Sequence, residues 1–240
     1  MTLTYDDEHV PKNMSLNVED FQLFMKRLRR GSSSPLRYFH CGEYGEENLR
    51  PHYHVCLFGE DFSDDRVLDK ETRRGDPLYT SLRLSEVWSL GHAWIGDLSF
   101  ESAAYVARYC LKKVTGSDEL RKKKGLCTVK EHYGDRVPEY VTMSRRPGIG
   151  SDWYRLYSSE VYPSDSVVIK RGDRYVEMLP PPYYDKLLEK VDPALYSRVK
   201  RERVRASKEF GESLDSSSRR LLDREKVKRL TIDGTLKRSL

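Results

Sequence analysis

The sequence predicts an α+β fold over residues 1–179, followed by a basic, mostly helical tail over 180–240. Three observations carry that reading. Two segments rich in strand formers, Leu36–Glu43 and His52–Phe58, flank a short polar turn and make an antiparallel hairpin. Before and after them lie stretches with apolar residues at helical spacing. Finally, Pro180–Pro182 stops both helix and sheet, and the chain beyond is highly charged and poor in large apolar residues.

The elements follow in order. Leu3 and Tyr5 alternate with threonines in a short first strand. Asn17 is an N-cap, with Asp20 placed as in a weak capping box. Val18, Phe21, Phe24, Met25 and Leu28 form the apolar stripe of a helix that ends in a basic turn before Gly31. After the hairpin, residues 60–80 are polar and read as a loop or insertion. Ser85–Leu90 suggests a short helix stopped by Gly91, and His92–Ile95 a further strand. Ser99 or Ser102 can cap a helix over Phe100–Val114, with Gly116 as its stop. A basic, flexible stretch over 121–125 precedes Val137–Met143 and the turn-rich Ser144–Gly150. Val167–Arg171 and Asp173–Met178 flank Gly172 as a second hairpin.

Composition excludes several classes. With 38% hydrophobic residues in 240, the chain can build a core and is not wholly disordered. No apolar run reaches the ~18–20 residues of a spanning helix, and the acidic opening carries no signal region, so a membrane protein is excluded and secretion disfavoured. Cys41, Cys56, Cys110 and Cys127 form no CxxC pair, which suggests neither a zinc ribbon nor a disulfide framework and fits a reducing cytoplasm. The net charge of +5 is concentrated in the tail: Asp185–Leu240 holds 16 Lys and Arg against 10 Asp and Glu, leaving the rest at 27 against 28. That asymmetry points to a polyanionic partner. Tyrosine outnumbers phenylalanine 16 to 7, and a tyrosine ring can stack on a base or pack half-buried.

Three groups of residues bear on chemistry. On a strand, His52 and His54 point to one face, so both imidazoles converge above the sheet as a metal-binding pair or as half-exposed strand histidines. An antiparallel turn brings Glu43 beside them, and two histidines with a carboxylate can hold Mg²⁺, Mn²⁺ or Zn²⁺. Glu46 and Glu47 are rivals in the turn, and His40 lies on the same strand. On the following helix, Tyr105 and Tyr109 share a face and Lys112 joins them. A phenol with an ordinary pKa of ~10 is a poor nucleophile, but it becomes useful beside a cation or opposite a polarised phosphate.

Thr2-Leu-Thr-Tyr5, Gly42-Glu-Tyr-Gly45, Arg50-Pro-His-Tyr-His54, Tyr105-x-x-x-Tyr109-x-x-Lys112 and Ser144-Arg-Arg-Pro-Gly-Ile-Gly150 occur here in that order. Together they resemble the HUH-type rolling-circle replication initiators, and most closely those of gokushovirus-like microviruses, small single-stranded DNA bacteriophages. Members of that group carry a further segment ahead of Thr-Leu-Thr-Tyr, which here starts at Thr2.

The resemblance implies a central antiparallel sheet with flanking helices, related to the RNA-recognition fold. It implies a metal-dependent, site-specific nickase and strand-transfer enzyme using Mg²⁺ or Mn²⁺ held by Glu43, His52 and His54. Tyr105 and Tyr109 would be the nucleophiles, with Tyr109 favoured for the first cut because Tyr-x-x-Lys matches single-tyrosine initiators. Lys112 would stabilise phenolate or leaving group, with Lys113 as substitute. The partner would be single-stranded or locally melted viral origin DNA in the host bacterial cytoplasm, with polymerase and helicase from the host. Arg50, Lys122, Lys123, Lys124, Arg145 and Arg146 are candidates for phosphate contacts, as is the basic tail. A plasmid initiator or transposase of the same superfamily, and a non-catalytic basic nucleic-acid-binding protein, are the alternatives.

Overall fold

The computed structural model describes residues 1–45, 48–72, 75–112, 114, 116–211 and 216–237, apart from the side chains of 108–112, 171 and 232–237. The chain divides into two compact units, Met1–Ile149 and Gly150–Leu240.

The first unit is built on a five-stranded antiparallel sheet. Its strands are β1 (Thr2–Tyr5), β2 (Arg37–Tyr44), β3 (Pro51–Phe58), β6 (Gly91–Trp94) and β7 (Tyr140–Met143), in the order β6-β1-β3-β2-β7. The hairpin expected from the sequence is therefore the β2–β3 pair, and β3 is the middle strand. Strand alternation sends Leu3, Tyr5, Tyr53, Val55 and Leu57 to one face, where they are buried under α1 (Val18–Arg30) and α2 (Leu82–Trp88). In α1 the Asn17 side chain accepts from the Glu19 amide, acids fill the first turn and arginines the last, all favourable to the helix dipole. Its stripe of Phe21, Phe24, Met25 and Leu28 is buried, and complete burial of each such side chain contributes about 1.5–3 kcal/mol.

Tyrosines tie these layers together. Tyr5 donates to Asp20 at 2.6 Å and Tyr53 to the Asn17 carbonyl at 2.8 Å, anchoring β1 and β3 to the start of α1. Buried Trp88 of α2 donates its indole N–H to the Thr4 carbonyl at 3.0 Å. Gly91 opens β6 with φ of 141°, where a Cβ would lie 2.3 Å from the Asp6 amide; only glycine lets the edge strand come this close to β1.

Helix α3 (Phe100–Lys112) packs on the opposite face. There Cys41 of β2, Cys56 of β3 and Val106 of α3 are buried together, with Phe39, Phe58, Ala103 and Tyr105 around them.

Two stretches differ from the sequence reading. Residues 60–80 hold an antiparallel hairpin of β4 (Arg66–Glu71) and β5 (Pro77–Ser81), so the loop or insertion expected there is largely strand. Its first strand is almost wholly exposed and reads RVLDKE, with no buried face to impose an alternating pattern. The basic stretch near 121 is the last turn of α4 (Asp118–Lys123), capped by Ser117, and α5 (Val129–Tyr133) follows with a Thr128–Glu131 capping box.

The second unit contains α6 (Ser151–Val161), a hairpin of β8 (Val167–Arg171) and β9 (Arg174–Met178), and α7 (Pro182–Val191), α8 (Pro193–Gly211) and α9 (Ser218–Lys237). The second hairpin and the helical character of the tail match expectation, and Pro182 serves as the first residue of α7. A small core of Tyr154, Val161, Tyr162, Tyr184, Leu188 and Val199 holds the unit together. Arg203 bridges Asp165 and Asp185, at 2.7 Å from each, and Tyr162 donates to Asp185 at 2.7 Å.

Candidate metal and nucleophile site

The β2–β3 register sets Glu43 directly opposite His52 and Cys41 opposite His54. Glu43, His52 and His54 therefore rise from the same face, the one that carries α3. Glu43 Oε1 lies 2.7 Å from His52 Nε2 and 3.0 Å from His54 Nε2. Each residue offers a ligand atom within 4.8 Å of the others, as a single metal ion requires. Glu43 is buried, whereas the two imidazoles keep partial exposure, so the site is held from below and open above.

The far nitrogens are held as well. His52 Nδ1 lies 3.2 Å from the Arg50 carbonyl, which can only accept, so Nδ1 carries the proton. His54 Nδ1 lies 3.1 Å from Thr2 Oγ1. Donation from both Nδ1 atoms leaves both Nε2 lone pairs aimed at the carboxylate. Such an arrangement needs a cation, either a proton or a metal, and is the outer-shell pattern of histidine metal ligands. The donor set of two imidazoles and one carboxylate thus fits a divalent ion.

Electrostatics agree with this description. Burial disfavours charge on His52, but its hydrogen bond to Glu43 and that carboxylate's charge outweigh burial and raise its pKa. Burial dominates at His54, whose pKa falls and which stays neutral, as a ligand must. Burial would raise Glu43, yet the hydrogen bonds from both histidines hold its carboxyl below the usual value.

Tyr105 reaches the same place. Its ring meets His54 edge-on, with centroids 6.2 Å apart and planes at 83°. Tyr109 and Lys112 lie on the same helix, one and two turns beyond, but their side chains are outside the described residues, as are Lys113, Glu46 and Glu47.

His40, although on β2, is not part of the group. Three residues separate it from Glu43, so it points into the core, stacked on Phe21 at 3.4 Å and bonded to Thr142. Arg50 directs its guanidinium to the Tyr5 carbonyl at 2.9 Å and to Asp7, pinning β3 to the end of β1. Lys122, Lys123 and Lys124 are exposed at the end of α4, and Arg145 and Arg146 are exposed on the turn after β7. Thr2 is the residue the sequence reading missed. Its contact with His54 depends on the β1–β3 register, for which local sequence carries no signal.

Comparison with known proteins fits this geometry. The family model for the replication-associated protein ORF2 matches residues 1–114, the segment that carries Glu43, His52, His54 and Tyr105. Replication-associated protein VP4 of Bdellovibrio phage phiMH2K is 34% identical over 221 residues, 88% of this chain and 64% of that protein. The chain belongs to this replication-associated protein family. Replication-associated protein ORF2 of Spiroplasma virus 4 is 32% identical over 87% of this chain and 63% of its own length. Replication-associated protein ORF4 of Chlamydia phage 1 is 28% identical over 80% and 46%. This replication-associated protein thus spans less than two thirds of the curated relatives it matches. No solved structure matches it. Among the described residues, no helix is long and apolar enough to cross a membrane.

Proposed function

We propose that this protein initiates rolling-circle replication of a gokushovirus-like phage, nicking one strand of unpaired origin DNA through a tyrosine and later closing the displaced strand into a circle. The observation that carries this reading is the convergence of Glu43, His52 and His54 beneath the Tyr105 ring. Phosphoryl transfer needs a nucleophile and charge compensation at one point, and these four side chains supply the means for both.

The phenolic oxygen attacks the scissile phosphorus and gives up its proton. The bond from phosphorus to the 3′ oxygen breaks, and that oxygen takes a proton to leave as a 3′-hydroxyl. The 5′ phosphate stays esterified to tyrosine. This ester conserves the energy of the cut bond, so no nucleoside triphosphate is consumed. After one round the second tyrosine cuts the regenerated origin, and the released 3′-hydroxyl attacks the first phosphotyrosine, expelling the phenol and closing the circle. A divalent ion, Mg²⁺ or Mn²⁺, held by Glu43, His52 and His54 supplies charge compensation for the phosphate oxygens.

Tyr109 remains the choice for the first cut on its spacing from Lys112, and Tyr105 takes the second. Lys112 offsets phenolate charge. The nicking centre belongs to residues 1–179. Arg50, Lys122, Lys123, Lys124, Arg145, Arg146 and the tail over 180–240 contribute phosphate contacts, and host polymerase and helicase complete the cycle.

End-labelled single-stranded origin DNA incubated with Mn²⁺ tests the reading on a denaturing gel. Cutting is expected from wild type and lost in EDTA, while retention on a native gel survives. Undiminished cutting by a variant with Glu43, His52 and His54 all changed to Ala would contradict it.

A further inference from the structure

The metal face of the sheet continues beyond β3 to an open edge. Across β1, Thr4 pairs with both His52 and His92, and Thr2 pairs with both His54 and Trp94. Directly paired residues share a face, so His92 and Trp94 of β6 stand on the same side as the metal ligands, two strands away, or roughly 10 Å. Helix α3 packs over β2 and β3, whereas His92, at the edge, is exposed.

The two rings are arranged as a pair. His92 and Trp94 stack with centroids 5.7 Å apart and planes at 30°. Trp94 is fixed from the β4–β5 hairpin: its indole N–H donates to Asp69 at 3.0 Å, and the Lys70 ammonium lies 4.2 Å from its ring centroid. Both rings line a cleft of about 190 Å³ that also presents Asp69, Thr80 and Ser85. An exposed planar ring, backed by a second ring that is itself held, contributes nothing to a hydrophobic core. With hydroxyls and a carboxylate beside it, this edge offers a flat heteroaromatic group both a stacking face and hydrogen-bond partners.

We propose that His92, backed by Trp94, is a stacking platform for one unpaired nucleobase of the strand whose scissile phosphate sits at Glu43, His52 and His54. The inference rests on the single-strand reading above and adds a determinant of where on the strand the phosphate comes to rest. Base stacking on an aromatic ring is sequence-tolerant and needs the base unpaired, as nicking does.

Fluorescence anisotropy with short single-stranded origin oligonucleotides in EDTA tests the platform without any cutting. His92→Ala is expected to weaken binding by at least about fivefold, and His92→Phe to restore it. An oligonucleotide series with one abasic nucleotide at successive positions locates the base. At one position near the nick, removing the base should weaken wild type by the same factor yet leave His92→Ala unaffected. If His92→Ala binds every oligonucleotide as wild type does, the platform is wrong while the nicking reading stands. If abasic and His92→Ala effects add at all positions, His92 contacts backbone and the stacking claim fails. Wild type that binds no single strand would overturn both the platform and the reading beneath it.

Discussion

His52 Nε2 lies 2.7 Å from Glu43 Oε1 on the neighbouring strand, directly across the β2–β3 ladder. With its Nδ1 proton committed to the Arg50 carbonyl, the imidazole has only a lone pair or a second proton to turn toward that carboxylate. The pair is therefore built around a positive charge.

Metal affinity should follow that construction. Glu43→Ala and His54→Ala are expected to abolish measurable Mn²⁺ binding by calorimetric titration. Thr2→Val, which removes only the hydroxyl partner of His54 Nδ1, should weaken binding by roughly 10–100-fold with the fold intact. Affinity unchanged in Glu43→Ala would show that the ion binds elsewhere.

His40 provides the internal contrast. It is fully buried, stacked on Phe21, and faces away from Glu43. His40→Ala should leave Mn²⁺ affinity unchanged but lower stability by about 2–4 kcal/mol in urea unfolding, since it opens a cavity beneath α1. A loss of metal binding in a variant that is still folded would contradict this assignment.

The contrast also shows what could be read from the chain alone. Residue parity on a strand already separates His40 from Glu43 and joins His52 to His54, so the ligand set was legible once the hairpin was drawn. The caps of α1, the basic turn before Gly31 and the hairpin around Gly172 were legible for the same reason: each is a local pattern. The β4–β5 hairpin was not, because an exposed strand has no buried face to set alternation. Helix α6 went unread as well; although it buries Tyr154 and Val161, its other aromatics, Trp153 and Tyr157, are exposed and blur the stripe. Thr2, His92 and Trp94 share a face with the ligands through pairing across three strands, and long-range register leaves no mark in neighbouring residues.

Acid should weaken the second unit. The Arg203 guanidinium beside Asp185 holds its carboxyl below the usual range, so this stabilisation is complete above the unfolded value of ~3.9 and disappears as pH falls through the lower folded one. Asp185→Asn should cost about 1–3 kcal/mol at pH 7. Hydrogen exchange across α7 and α8 checks this: amides should exchange faster in the variant at neutral pH. Equal protection in both proteins at pH 7 would count against the bridge.

The most direct test of the central claim is to trap and map the covalent link. Single-stranded origin DNA, Mn²⁺ and wild-type protein should yield a protein–DNA adduct that survives denaturation, with the 5′ phosphate on a peptide containing Tyr105 or Tyr109 by mass spectrometry. Tyr105→Phe and Tyr109→Phe should each leave one site, and the double variant none. An adduct on another residue, or cutting that persists in the double variant, would contradict the account.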